Sequence, residues 1–231
     1  MRRFVALAML MAVPLIGGCA AKGGVQPGAS SGAPSVSGTA SAAASATAQA
    51  SADDRGNYTV RYGFAVPSTK VTVASQVTVP IPGAIPLPYL VEIHTGDHSN
   101  ENPGYARISF YFRGGFPGYN IQYVPQVISD AKGDPVPLTG NAFLRLQFTD
   151  AQAHDANGAS SVTSAASQAI GFANLKSYAF AGDFEGYLTF GLGLQVAPGS
   201  DQALAVRIGE LRKSDGKGGD LYVIAVDIRN G

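Results

Sequence analysis

An all-β fold, an antiparallel β-sandwich, is predicted for most of this 231-residue chain by three observations. Short apolar-polar alternations recur from Tyr58 to the C-terminus, and each is closed by Gly, Pro, Asn or Asp. No window carries an apolar stripe of helical period. The composition agrees, with 29 Gly, 14 Pro and no Trp, which favours turns and strands over long helices. A period of two with one apolar face suits antiparallel sheets packed face to face.

Taken in order, the first candidate strands are Tyr58–Phe64 and Lys70–Val79. Proline then recurs between Pro80 and Pro88, removing backbone donors, so an extended linker or edge segment is expected there. Such a segment can set a hairpin over 57–79 apart from the main sheets. Tyr89–His94 follows, then Arg107–Arg113, where Ile108, Phe110 and Phe112 share one face and Arg107, Ser109, Tyr111 and Arg113 the other. After the Phe116-Pro117-Gly118 turn comes Tyr119–Val124. In Ala142–Phe148, Leu144, Leu146 and Phe148 alternate with Phe143, Arg145 and Gln147. The Ala- and Ser-rich stretch Ser161–Gly171 has no apolar stripe and reads as a loop or short helix. Leu175–Ala181, Tyr187–Leu194, a strand carrying Leu204, Val206 and Ile208, and Leu221–Ile228 complete about ten strands.

Ahead of them the chain changes character twice. Met1-Arg2-Arg3 is a short positive segment, and Phe4–Ile16 is an apolar run of 13 residues. A helix needs about 20 apolar residues to cross a bilayer, so residues 1–18 read as an export signal. Ile16-Gly17-Gly18-Cys19 resembles a lipobox, which makes Cys19 the expected site of lipidation and the lipid bilayer an expected partner. Two acyl chains on one residue give stable attachment where a single chain does not. Residues 19–56 are then the lipidated Cys and a disordered linker, since Ala, Ser, Gly, Thr and Pro cannot bury enough apolar area to offset their ordering entropy. About 34 such residues reach roughly 30–35 Å on average. Within them Gly28-Ala29-Ser30-Ser31-Gly32 fits the nucleophile-elbow pattern, but no strand precedes it and no helix follows. The β-sandwich occupies 57–231, and the expected location is the extracytoplasmic side of the cell membrane.

Charge and cysteine usage exclude several classes. Formal net charge is zero, and loss of Arg2 and Arg3 leaves 14 basic against 16 acidic residues, so no basic patch suits a nucleic-acid backbone. One Cys in an exported chain rules out a disulfide framework.

The span from about Tyr89 to Ile228 resembles the AMIN-like domain of exported proteins and lipoproteins, mostly actinobacterial. Gly96-Asp97-His98, Arg107-Ile108-Ser109-Phe110, Pro117-Gly118-Tyr119 and Tyr123-Val124 carry the likeness. So do Ala181-Gly182-Asp183-Phe184-Glu185-Gly186, Thr189–Leu194 and the last strand. Where the family usually has Asp before the motif Arg, this chain has Ala106. The resemblance implies a β-sandwich and a tie to AMIN domains, which help place cell-wall amidases and secretins by binding peptidoglycan. It brings no catalytic residue.

Among candidate sites, Arg107, Tyr111 and Arg113 share a polar strand face, and Tyr119 and Tyr123 lie just beyond the next turn. Aromatic rings and guanidinium groups in one area suit glycan or protein contacts. His94, Asp97 and His98 lack metal-site spacing, because positions 94 and 98 of a strand lie about 13 Å apart. Asp97, Ser99 and Glu101 start like a calcium loop but lack its central Gly and final Glu, so a polar turn is expected. Asp183 and Glu185 would share one strand face about 6–7 Å apart, but two carboxylates from one strand do not flank a bond from opposite sides. Gly182, Gly186, Gly191 and Gly193 point to bulges or close sheet approach. Neither a catalytic constellation nor a cofactor site is expected. The reading is a non-enzymatic, membrane-anchored envelope protein that binds peptidoglycan or another envelope component. The alternatives are a structural subunit of an exported assembly and, behind it, an envelope hydrolase.

Overall fold

The computed structural model describes residues 58–77, 87–200 and 203–231. Cys19, the linker and most of the Pro80–Pro88 stretch lie outside them. Among the described residues there are eleven strands and no helix. They are β1 (Tyr58–Ala65), β2 (Val71–Val73), β3 (Tyr89–His98), β4 (Tyr105–Arg113), β5 (Gly118–Val124) and β6 (Ala142–Thr149). Then come β7 (Ser164–Ala165), β8 (Leu175–Phe184), β9 (Tyr187–Leu194), β10 (Val206–Ser214) and β11 (Asp220–Arg229). A six-stranded sheet runs β1-β10-β11-β4-β3-β7 and a five-stranded sheet runs β2-β5-β6-β9-β8. All pairings are antiparallel except the short parallel β3–β7 contact. The all-β sandwich read from the sequence is the fold observed.

The core lies between the sheets and is built from the residues that the alternation picks out. Ile108, Phe110 and Phe112 of β4 face Leu144, Leu146 and Phe148 of β6, all of them fully buried. Phe148 meets Phe112 at 4.9 Å and Phe110 at 5.1 Å between ring centroids, both edge-on. Each ring buried in this way stabilises by roughly 1.5–3 kcal/mol before its conformational entropy is counted.

Two expectations are corrected at the N-terminal side. Among the described residues of 57–79, β1 and β2 do not pair as a hairpin, because β1 pairs with β10 in one sheet and β2 with β5 in the other. The strand expected over Lys70–Val79 is also only three residues long, and its remainder leaves the sheet or lies outside the described residues. A register shift between Val60 and Tyr62 sends Tyr62 into the main core. Tyr58 and Val60 stay on the outer face, packed with Ala225 and Leu211. One inserted residue in a strand is enough to switch faces in this way.

The Ser161–Gly171 stretch is extended. Thr163 and Ala166 donate backbone N–H groups to Val91 and Ile93 of β3 (both 2.8 Å), while Tyr178 of β8 donates to Gln168 (3.0 Å). It therefore bridges the two sheets along one edge of the sandwich. A second covering segment, residues 125–141, lies on the outer face of β8 and β9. Asp130 N–H donates to Ala181 O (2.9 Å) and Asn141 N–H to Leu194 O (2.8 Å). Close approach here is why β8 and β9 carry glycine. A Cβ on Gly193 would stand 2.1 Å from Thr139 O, and one on Gly191 would stand 2.8 Å from Leu138 Cδ1.

Candidate functional site

Strand β4 presents Arg107, Ser109, Tyr111 and Arg113 on the outer face of the larger sheet, as the alternation predicts. Their neighbours are set by register: Asp227, Ala225 and Val223 on β11, and Gly96, His94 and Glu92 on β3. Arg107 is committed to Asp227, whose carboxylate is fully buried. Nε donates to Oδ1 at 2.6 Å and Nη2 to Oδ2 at 2.9 Å. Arg207 reaches the same Oδ2 through Nε at 2.8 Å and Nη2 at 2.7 Å. The rings of Tyr58 and Tyr105 cover both guanidinium groups at 5.1–5.9 Å, and Phe64 lies 4.7 Å from Arg207. Burial acts to lower the Arg107 pKa, but the hydrogen bond and charge of Asp227 outweigh it and hold the group protonated. Burial and then the Asp227 charge push the Tyr58 hydroxyl far above its ordinary range. Arg113 pairs with Asp215 at 2.8 Å. Tyr111 lies between His94, 4.7 Å away, and the Lys213 ammonium, 4.6 Å from its ring. This face is a network of satisfied partners.

Tyr119 and Tyr123 do not join it. The chain crosses from one sheet to the other between β4 and β5, so odd-numbered residues of β5 face inward. Tyr119 is buried and donates to Glu210 Oε1 at 3.3 Å, and burial followed by the Glu210 charge raises its pKa well above normal. Glu210 also receives Arg61 Nε (2.7 Å) and Gln76 Nε2 (2.6 Å). Tyr123 packs against the core and donates to Leu204 O at 2.9 Å. The five residues predicted as one binding area therefore divide into an outer network and two interior anchors.

His94 pairs with Glu92 and His98 with Glu101, both at 2.8 Å. Asp97 caps a polar turn through Ser99 N–H at 2.9 Å. Among the described residues no group of three or more His, Cys, Asp or Glu is placed to hold a metal.

A larger feature lies at the opposite edge, where β3, β7 and β8 and the bridging segment leave a groove of about 740 Å³. Its walls include Tyr178, Phe180, Phe184 and Phe190, and its ionisable groups are His154, Asp183 and Glu185. Phe180 and Phe184 are 51% and 68% exposed, unusual for Phe, and Tyr187 beside them is 50% exposed. A bulge in β8 makes this arrangement. Strict alternation would place Phe180 and Gly182 on one face, but the register shifts between them and brings Asp183 to the side of Phe180. Asp183 Oδ2 then accepts from Ala153 N–H at 2.8 Å and lies 2.6 Å from His154 Nδ1. The imidazole keeps Nε2 as its second donor or acceptor. Ser160 lines the same groove, but its hydroxyl accepts the Val162 N–H at 3.2 Å.

Asp183 and Glu185 do not share a strand face. β8 ends at Phe184, and Glu185-Gly186 forms the two-residue turn of the β8–β9 hairpin. Both turn residues have positive φ, 50° and 81°. Such turns take Asn-Gly most readily, so Glu stands where Asn or Gly would cost less. The sequence reading missed the groove. Its one legible signal is a Phe-Glu-Gly-Tyr turn that spends two aromatic residues on a solvent-facing hairpin tip.

The AMIN-like domain family matches residues 88–212, more than half of the chain. The match begins at the foot of β3 and ends within β10, leaving β1, β2 and β11 outside it. No curated protein and no solved structure matches. With most of both sheets inside the matched span, this chain belongs to the AMIN-like domain family.

Proposed function

We propose that this is a lipid-anchored protein of the cell envelope whose AMIN-like domain binds a wall polymer, peptidoglycan, without catalysis. In this reading residues 1–18 direct export, Cys19 carries the acyl chains, and the linker over 19–56 holds the β-domain over 57–231 off the membrane on its extracytoplasmic side. The observation that carries the binding function is the edge groove with its exposed Phe180 and Phe184. Rings that stand in solvent beside hydrogen-bonding groups suit stacking on the apolar faces of sugars or peptide stems. The Arg107–Tyr111–Arg113 face, its charges already paired, serves the sheet's own cohesion.

Three variants test this reading. Phe180→Ala combined with Phe184→Ala will lower retention on purified peptidoglycan about tenfold, each ring supplying roughly 0.5–1.5 kcal/mol. Tyr111→Ala with Arg113→Ala will leave retention within a factor of two or so. Retention unchanged in the double Phe variant, measured by sedimentation with the wall, would remove the groove from the function. Cys19→Ala will release the protein to the medium or leave it as uncleaved precursor. Membrane retention at mature size would contradict the anchor.

A further inference from the structure

We infer that the groove recognises a primary ammonium group, a protonated amine on a carbon framework, carried by the ligand. This rests on the groove being a ligand site and adds the ligand's chemistry.

Charge is the first argument. Asp183 and Glu185 line the groove, and among the described residues His154 is the one lining group able to carry positive charge, with no Lys or Arg beside it. With His154 protonated or not, the groove keeps net negative charge, which repels phosphate and carboxylate and attracts cations.

The second argument is an unmet acceptor. The Asp183 side chain is only 9% exposed, and Oδ2 takes both of its polar contacts. Oδ1 is buried with no hydrogen-bond partner among the described residues. Oδ1 has no donor of its own among these residues, so the carboxylate keeps charge that its bonded neighbours do not offset, and that charge acts through the low-dielectric wall on a cation in the groove.

Ring chemistry supplies the third. Tyr178, Phe180, Phe184 and Phe190 line the same groove as the carboxylates, and aromatic faces attract ammonium groups by their quadrupole while packing against carbon frameworks. Asp183 and Phe184 also line a second hollow of about 500 Å³, with Asp130 and Tyr187, so the acidic-aromatic character continues around the hairpin tip. Asp130 is paired with Arg145 at 3.1 Å, and Arg145 is not among the residues that line this hollow. In an envelope two sources offer this chemistry: the side-chain amine of a wall peptide and the free amine of a de-N-acetylated amino sugar.

The test uses the full chain in detergent and purified wall in two forms, native and with its free amines acetylated by acetic anhydride. Retention is expected to drop about tenfold on acetylated wall, and Glu185→Gln and Asp183→Asn to lower retention on native wall similarly. Direct titration then uses Nα-acetyl-lysine methylamide and glucosamine, each against its N-acetylated form. Backbone amide shifts at 153–160 and 180–187 should follow the free amines only, and the stronger of the two identifies the source. Equal retention on both walls, with the double Phe variant lost from both, overturns the ammonium inference and keeps wall binding. Shifts from the free amines with no wall retention support the inference and remove the wall reading. Equal shifts from free and acetylated probes, or none from either, overturn it.

Discussion

Asp227→Ala will destabilise the fold by about 3–5 kcal/mol, the range found when one partner of a buried ion pair is removed. The carboxylate is fully buried and serves Arg107, Arg207 and the Tyr58 hydroxyl, the last at 3.3 Å. Deleting it leaves two guanidinium groups, 13% and 20% exposed, facing each other without a counter-charge. β1 should loosen first, because the Tyr58 ring rests over Gly209 so closely that a Cβ there would meet ring carbon Cζ at 2.1 Å. Urea denaturation measures the loss, and hydrogen exchange at 58–65 locates it. A triple change of Arg107 and Arg207 to Met and Asp227 to Leu should cost far less, since the penalty comes from the stranded charges. A loss below about 1 kcal/mol in Asp227→Ala would mean the network does not hold β1 to the sheet.

Gly193→Ala will cost about 1–3 kcal/mol or more through overpacking. The added methyl would meet the Thr139 carbonyl oxygen at 2.1 Å and Ser177 Oγ at 2.5 Å. Those atoms are already bonded to each other: Thr139 N–H donates to Ser177 Oγ at 2.8 Å, and that hydroxyl donates to Thr139 O at 3.2 Å. The segment over 125–141 must therefore lift from β8 and β9, which limited proteolysis will read as new cleavage within it. Gly63→Ala is the control, since nothing lies within 4 Å of its Cβ position and its φ is not in the left-handed range. Its stability should stay within about 0.5 kcal/mol of the parent. Equal behaviour of the two variants would show that glycine at 193 is not a packing requirement.

Most strands were legible because alternation is a local property. Leu144, Leu146 and Phe148 announce a buried face by spacing alone, and all three are fully buried. The outer network was not. Position 227 falls on the face of β11 opposite Ile224, Val226 and Ile228, which spacing assigns to solvent. It is buried because Arg107, 120 residues earlier, and Tyr58, 169 residues earlier, close over it. Tyr119 misled for the related reason that its nearness to Arg113 along the chain hides a change of sheet. Ala106, where the family usually has Asp, is buried among core residues, and the carboxylate that Arg107 meets comes from β11.

The sequence alone determined the all-β class, the places of most strands and the kinship to AMIN-like domains, because each is written in short windows of polarity or motif. Tertiary structure decided which outer faces are covered, which tyrosines are anchors and where a groove opens. His154 meets Asp183 across 29 residues because Ala153 N–H binds the same carboxylate and one bulge in β8 turns Asp183 toward them. A single-residue shift in a strand exchanges its two faces while leaving local polarity unchanged, so the side that meets ligand is fixed by pairing between distant strands.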